Sequence, residues 1–176
     1  MKIPRVTEII AAFFPPSHFY TEAGRDRGSA RHKAYQFLSE GDLDWDTVDP
    51  AILPQVRQFE RFLADTGYQF KFNELRLTHP IMNYTGTMDT IGILGGKLVV
   101  IDYKPASFLP IVKIQTAAYR RLAVSNGYAV TERYSLHLGE DSYKLVAHTD
   151  IADENRWAAL VAAYAVISHY KQEKPQ

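Results

Sequence analysis

The sequence predicts an α/β fold of the α+β type, with a central mixed β-sheet flanked by helices. Two patterns predict it. Glycine- and proline-punctuated β-rich runs follow one another between Gln69 and Lys104, and segments with helical apolar spacing stand before and after them. Size is the third observation: 176 residues, 46% of them hydrophobic, suffice for one compact domain with a sizeable core. The whole chain, 1–176, is expected to form that one domain, with no repeats or internal linker.

Residues 3–14 carry Val6, Ile9, Ile10 and Phe13 on one helical face, with a cap at or before Thr7 and a stop at Pro15-Pro16. Residues 28–39 read as a second helix closed by Gly41, and Asp42 to Pro50 as a polar loop. Residues 51–66 repeat Ile52, Val56, Phe59 and Leu63 at helical spacing and end at Gly67. Gln69 to Leu77 alternates as a strand, and Pro80 and Asn83 mark a turn. Residues 108–126 form a helix with Pro110 in its first turn and Asn126-Gly127 at its end. Residues 128–138 and 142–149 pair as a hairpin, and 153–171 close the chain as a helix with Trp157, Leu160, Val161, Tyr164 and Ile167 inward.

The segment from Thr85 to Lys104 carries the chemistry. Gly95-Gly96 is a two-residue turn signal between two β-rich runs. Counting outward from that turn pairs Leu94 with Lys97 and, five steps further, Asp89 with Asp102. Directly opposed residues project to one side of a sheet, about 5 Å apart at Cβ, and Lys104 projects to the same side as Asp102. Two carboxylates so close repel unless a cation or a shared proton lies between them. A divalent metal beside a lysine is a hydrolytic arrangement. The neighbours Ile91, Ile93, Val99, Val100 and Ile101 point to a buried sheet, in which unpaired acids are costly; this argues against ordinary surface polarity.

Composition excludes several classes. With no cysteine there is no disulfide, thiolate zinc site or iron–sulfur cluster, which fits a reducing cytoplasm. The apolar run after Lys2 and Arg5 is broken by Glu8, and no long apolar stretch occurs elsewhere, so neither a secretory signal nor a membrane span is expected. Twenty basic and 20 acidic residues cancel, yet Arg25, Arg27, Arg31 and Lys33 cluster, as do Lys113, Arg120 and Arg121. A balanced chain can still carry a basic groove. Gly92, Gly95 and Gly96 make no dinucleotide fingerprint, and there is neither a Gly-x-Ser-x-Gly elbow nor a phosphate-binding loop.

Four features align in order: Gly28-x-x-x-His32, Gly86-x-x-Asp89, Ile101-Asp102-Tyr103-Lys104 and Gln115-x-x-x-Tyr119. This set resembles the PD-(D/E)XK nuclease superfamily, and within it the RecB-like branch, over a core from about Arg27 to Leu122. The resemblance implies a restriction-endonuclease-like core and hydrolysis of DNA phosphodiesters with Mg2+ or Mn2+. It implies that His32, Asp89, Asp102 and the backbone carbonyl of Tyr103 hold the metal, and that Asp89, Asp102 and Lys104 are catalytic, with Lys104 orienting the attacking water. Gln115 and Tyr119 would brace the site and meet the DNA backbone, joined by Arg31 and Arg120. Magnesium accepts two carboxylates and a carbonyl, while an imidazole suits manganese better.

Two departures stand out. Pro105 follows the lysine where relatives carry a small polar residue, and the cysteine-bound iron–sulfur subtype is ruled out. Glu74 is expected to form an edge ion pair with Arg76 or Lys71 rather than enter the site. His18, His79, His137, His148 and His169 lack metal-ligand spacing and are expected to be structural. The expected partner is DNA, with a recombination or replication protein as a second, no membrane, and an oligomer left open. The alternatives are a non-catalytic DNA-binding or assembly subunit of the same fold and a hydrolase of another phosphodiester such as RNA.

Overall fold

The computed structural model describes residues 3–15, 22–106 and 110–172. His18 and the start of the helix expected at 108 lie outside the described residues. Helix α1 (Val6–Phe13) is preceded by Arg5, whose backbone N–H donates to the Glu8 carboxylate at 2.8 Å, one half of a capping box. Helix α2 (Glu22–Glu40) starts earlier than expected, because Gly28 and Ser29 are carried inside it rather than marking its beginning. Gly41 closes α2 at φ 78°, with Asp42 N–H donating to Phe37 O across the last turn. Helix α3 (Leu53–Thr66) ends at left-handed Gly67.

Strands β1 (Gln69–Thr78), β2 (Thr85–Leu94) and β3 (Lys97–Pro105) follow. Gly95 and Gly96, at φ 55° and 78°, make the tight turn between β2 and β3, both positive as a primed hairpin turn requires. The β1–β2 turn is held by His79, whose Nδ1 accepts from the N–H groups of Ile81 and Met82. Helix α4 (Val112–Ser125), strands β4 (Glu132–Leu138) and β5 (Tyr143–Ala147) and helix α5 (Ala152–Gln172) complete the fold.

The five-stranded sheet runs in the order β1-β2-β3-β4-β5. All neighbours are antiparallel except β3 and β4, which are parallel and joined across the sheet by α4. The mixed sheet with flanking helices is the architecture expected. Helices α1, α4 and α5 cover one face, where Val6, Ile9, Leu122 and Trp157 pack on Ile91 and Val100. Helices α2 and α3 cover the other, where Tyr35, Phe59 and Phe62 pack on Val99, Ile101 and Tyr103. Strand β3 is thus buried on both sides. Ile167, expected inward, is instead 38% exposed, because α5 runs on past the edge of the core that Trp157 anchors. Among the described residues no helix is long and apolar enough to cross a membrane.

Candidate functional site

The β2–β3 pairing follows the count made from the turn, from Leu94 opposite Lys97 out to Thr90 opposite Ile101. One step further the ladder changes. Asp89 Oδ2 accepts the backbone N–H of Tyr103 at 2.6 Å, so a side chain satisfies a main-chain donor at this point of the sheet. The other edge of β2 is irregular at the same level. Pairs Asn73–Thr90 and Leu75–Met88 bracket Glu74 and Asp89, and Glu74 has φ 49°. Met88 packs on the α4–α5 side, whereas Thr90, two residues on, bonds Tyr68 from the α3 side. The facing of β2 therefore switches at Asp89. Side chains from both layers of the fold meet there.

Helix α2 supplies His32, held edge-on against Tyr103 with ring centroids 5.8 Å apart. His32 Nδ1 lies 3.2 Å from Glu74 Oε1 and 3.4 Å from Asp89 Oδ1. One ligand atom from each of His32, Glu74 and Asp89 falls within 4.8 Å of the others, near the span of about 4.2 Å open to two ligands of one small cation. Two carboxylates and an imidazole form a donor set that suits manganese and, with water completing the shell, magnesium. Asp102, 2% exposed, lies beside them on β3, its Oδ2 2.6 Å from Lys104 Nζ. That contact is an ion pair outside hydrogen-bond geometry, and Oδ2 has no hydrogen-bond partner among the described residues.

The electrostatics follow from this crowding. Burial, then the Asp102 charge, push the Asp89 carboxyl up to about 7, against the opposing pull of His32, Lys104 and the Tyr103 N–H. Burial by itself would lower His32, but the Glu74 hydrogen bond and the charges of Asp89, Glu74 and Asp102 outweigh it and raise the imidazole above its ordinary value. A carboxyl pushed up beside a histidine that is raised is what crowded negative charge produces.

The structure brings together His32, Asp89, Asp102 and Lys104 of the residues singled out in the sequence. Tyr103 joins them through its backbone N–H and its ring. Glu74 was expected to pair with Arg76 or Lys71; it bonds His32 instead, because the kink in β1 turns it inward. A register count along β1 and β2 would have found it, but the long turn between those strands leaves that count unfixed in the sequence. Tyr119 is buried, its hydroxyl accepting from Gln115 Nε2 at 3.0 Å. Its ring packs on Gly86, where an added Cβ would come within 3.0 Å of Tyr119 Cε1; this is the physical need for glycine at that position. Burial, then the charges of Asp102 and Asp89, push the Tyr119 hydroxyl up, so it lies within reach of the acids electrostatically. Arg31 lines a small cavity with His32 and Lys104. Arg120 is not brought to this cluster: it pairs with Glu154 of α5 and lines a separate cavity with Arg133 and His148. Its direction is set by the acid on α5, which a reading of α4 alone does not reveal.

No known protein family profile matches the chain, and no curated protein sequence does. Solved structures match it in fold. A candidate exonuclease from Eubacterium rectale superposes with a TM-score of 0.54 at 11% identity, over 80% of this chain; the chain spans 64% of that protein's length. The alkaline exonuclease LHK-Exo from Laribacter hongkongensis superposes with a TM-score of 0.52 at 12% identity, over 96% of this chain and 91% of that one. At these identities the likeness establishes the fold, a helix-flanked mixed sheet that these exonucleases also have.

Proposed function

We propose that this protein is a metal-dependent DNA nuclease, an exonuclease of the RecB-like PD-(D/E)XK type, formed as one domain. We propose Mg2+ or Mn2+ as its cofactor, and recombination, repair or phage DNA processing as its setting. The observation that carries the reading is the convergence of His32, Glu74 and Asp89 beside the Asp102–Lys104 pair.

A divalent cation, when bound, supplies polarisation of a phosphoryl oxygen and a water of lowered pKa. His32, Glu74 and Asp89 are the residues to hold it, with Asp102 closing the site from β3. Burial and Asp102 shift the Asp89 carboxyl up to about 7, and a cation held there would favour its ionised form. Asp102 holds the Lys104 ammonium in place, where it offers fixed positive charge to the phosphoryl oxygens as negative charge builds on them. Tyr119 braces the site from beneath, and half-buried Gln115 is the member of that pair with access to a strand.

The test is digestion of end-labelled linear and closed circular DNA with magnesium or manganese, with and without chelator. Wild type degrades the linear form in a chelator-sensitive way, and Lys104→Ala abolishes this while retaining a cooperative thermal transition. A wild-type preparation inert on single- and double-stranded DNA with both metals would overturn the reading and favour a non-catalytic DNA-binding subunit.

A further inference from the structure

We propose that His137, kept in one tautomer by Ser135 and His148, is a positioning residue for Lys104: it grips the backbone of β3 at Pro105, directly after the lysine. The inference rests on the nuclease reading and adds to it a residue of β4, outside the acid cluster. The parallel pairing of β3 with β4 sets Ser135 opposite Asp102 and His137 opposite Lys104. Paired residues share a face of the sheet, so a polar row on β4 runs alongside the acid–lysine row on β3. Asp102 holds the tip of Lys104, but the lysine backbone lies where the ladder thins. Pairing with β2 stops at Ile101, so apart from the Tyr103 N–H bond to Asp89 the end of β3 is held by β4. Pro105 ends the strand and has no N–H to give. His137 Nδ1 donates to the Pro105 carbonyl at 3.2 Å and ties down the strand end that proline weakens.

The same bond fixes every proton in the row. A carbonyl only accepts, so His137 Nδ1 carries the hydrogen and, in a neutral ring, Nε2 is bare. Ser135 Oγ, 2.9 Å away, then donates to that nitrogen. Its lone pair is left to accept from His148 Nε2, also at 2.9 Å, so His148 carries its hydrogen there. All three side chains are buried. Burial, most of all, lowers His137, and the charges of Lys104 and Lys144 on either side of it add to that, against the pull of the Pro105 bond and Asp102. Burial and Arg133 lower His148 in the same way. Both rings are therefore neutral, and no second cation stands beside the Lys104 ammonium. Three buried polar side chains are costlier than the apolar ones that could fill this row, unless their bonds are all made. Made as they are here, they impose one orientation on the strand end, which an apolar contact would not.

The experiment has two arms. Imidazole nitrogen NMR of the full chain at mildly alkaline pH needs no DNA: His137 reads as the Nδ1–H tautomer and His148 as the Nε2–H tautomer. Steady-state digestion of linear DNA with manganese, at a temperature where every variant is folded, gives the second. His137→Leu lowers kcat by about tenfold with KM nearly unchanged, the size of one hydrogen bond that matters only in the transition state. His137→Asn, whose amide nitrogen takes the place of Nδ1 and still donates to Pro105, recovers most of that loss. His137→Gln, whose amide reaches the Nε2 place instead, does not. Ser135→Ala, which frees the tautomer, lowers kcat by about threefold. Should His137→Leu not fold, the contrast between the Asn and Gln variants decides. His137 found as the Nε2–H tautomer, equal losses in the Asn and Gln variants, or kcat within about twofold of wild type in both His137→Gln and Ser135→Ala overturns the proposal, while the nuclease reading stands if wild type cuts. A wild type that does not cut DNA overturns both.

Discussion

Glu74 is the residue of the acid cluster whose place the structure alone revealed, and its removal has a calculable consequence. A ligand that binds only the folded state stabilises it by about 2.7 kcal/mol at a hundred times its dissociation constant. For a chain of 176 residues each kcal/mol moves the melting temperature by about 2–4 °C, so saturating manganese should raise it by roughly 5–11 °C. Glu74 Oε1 contacts His32 Nδ1 at 3.2 Å and completes the three-residue cluster, so Glu74→Gln removes one anionic donor and the carboxylate that orients the imidazole. A loss of at least about tenfold to a hundredfold in metal affinity follows. At the same manganese concentration the gain falls to roughly 0.4–1.4 kcal/mol, a shift of about 1–6 °C. Glu74 is half-exposed, so the metal-free melting temperature should change little. Differential scanning fluorimetry across a manganese titration reads both quantities. A Glu74→Gln protein that keeps the full wild-type shift would show that the cluster is not the metal site.

Three further outcomes follow from the packing. Gly92→Ala should destabilise by about 3 kcal/mol, the upper range for overpacking, because its Cβ would fall 2.4 Å from Gln69 O and 2.5 Å from the Tyr68 ring; urea denaturation checks this, and an unchanged midpoint refutes it. Arg133→Met should cost about 3 kcal/mol, since Arg133 is buried and donates to Lys113 O, Thr116 Oγ1, Asp150 O and Asp153 Oδ2, and its loss leaves these acceptors without that donor while Arg156 alone still pairs Asp153; a cost below about 1 kcal/mol would mean the network relaxes freely. Burial, then the Arg133 charge, lower His148 to about 4, so the folded state holds it neutral while the unfolded chain protonates near its ordinary 6.5. The folded state is then undiminished above pH 6.5 and loses on the order of 3 kcal/mol from this group as pH falls from 6.5 to 4; equal urea midpoints for wild type at pH 7 and pH 4.5 would contradict it.

Much of the fold was legible because its signals are local. The Gly95-Gly96 turn fixed the β2–β3 register from Leu94–Lys97 out to Thr90–Ile101, since a two-residue loop leaves no freedom in the count; the expected next pair, Asp89–Asp102, is not part of the ladder, because Asp89 turns its carboxylate onto the Tyr103 N–H. Gly41 and Gly67 closed their helices where expected because left-handed caps need glycine. Other features were not legible. Gly28 reads as a helix start because its propensity is low, yet α2 runs through it. Arg120 reads as a phosphate contact until Glu154, 34 residues away in sequence, is found opposite it.

The sequence by itself determined the class of the fold, the order of its elements and the β2–β3 register as far as Thr90–Ile101, because turn chemistry and two-residue strand periodicity act over short stretches of chain. Only the tertiary structure decided that β2 changes its facing at Asp89 and that Glu74 turns inward to His32. Those facts depend on how two layers of helices press on one twisted sheet, and no local pattern encodes the balance of such distant contacts.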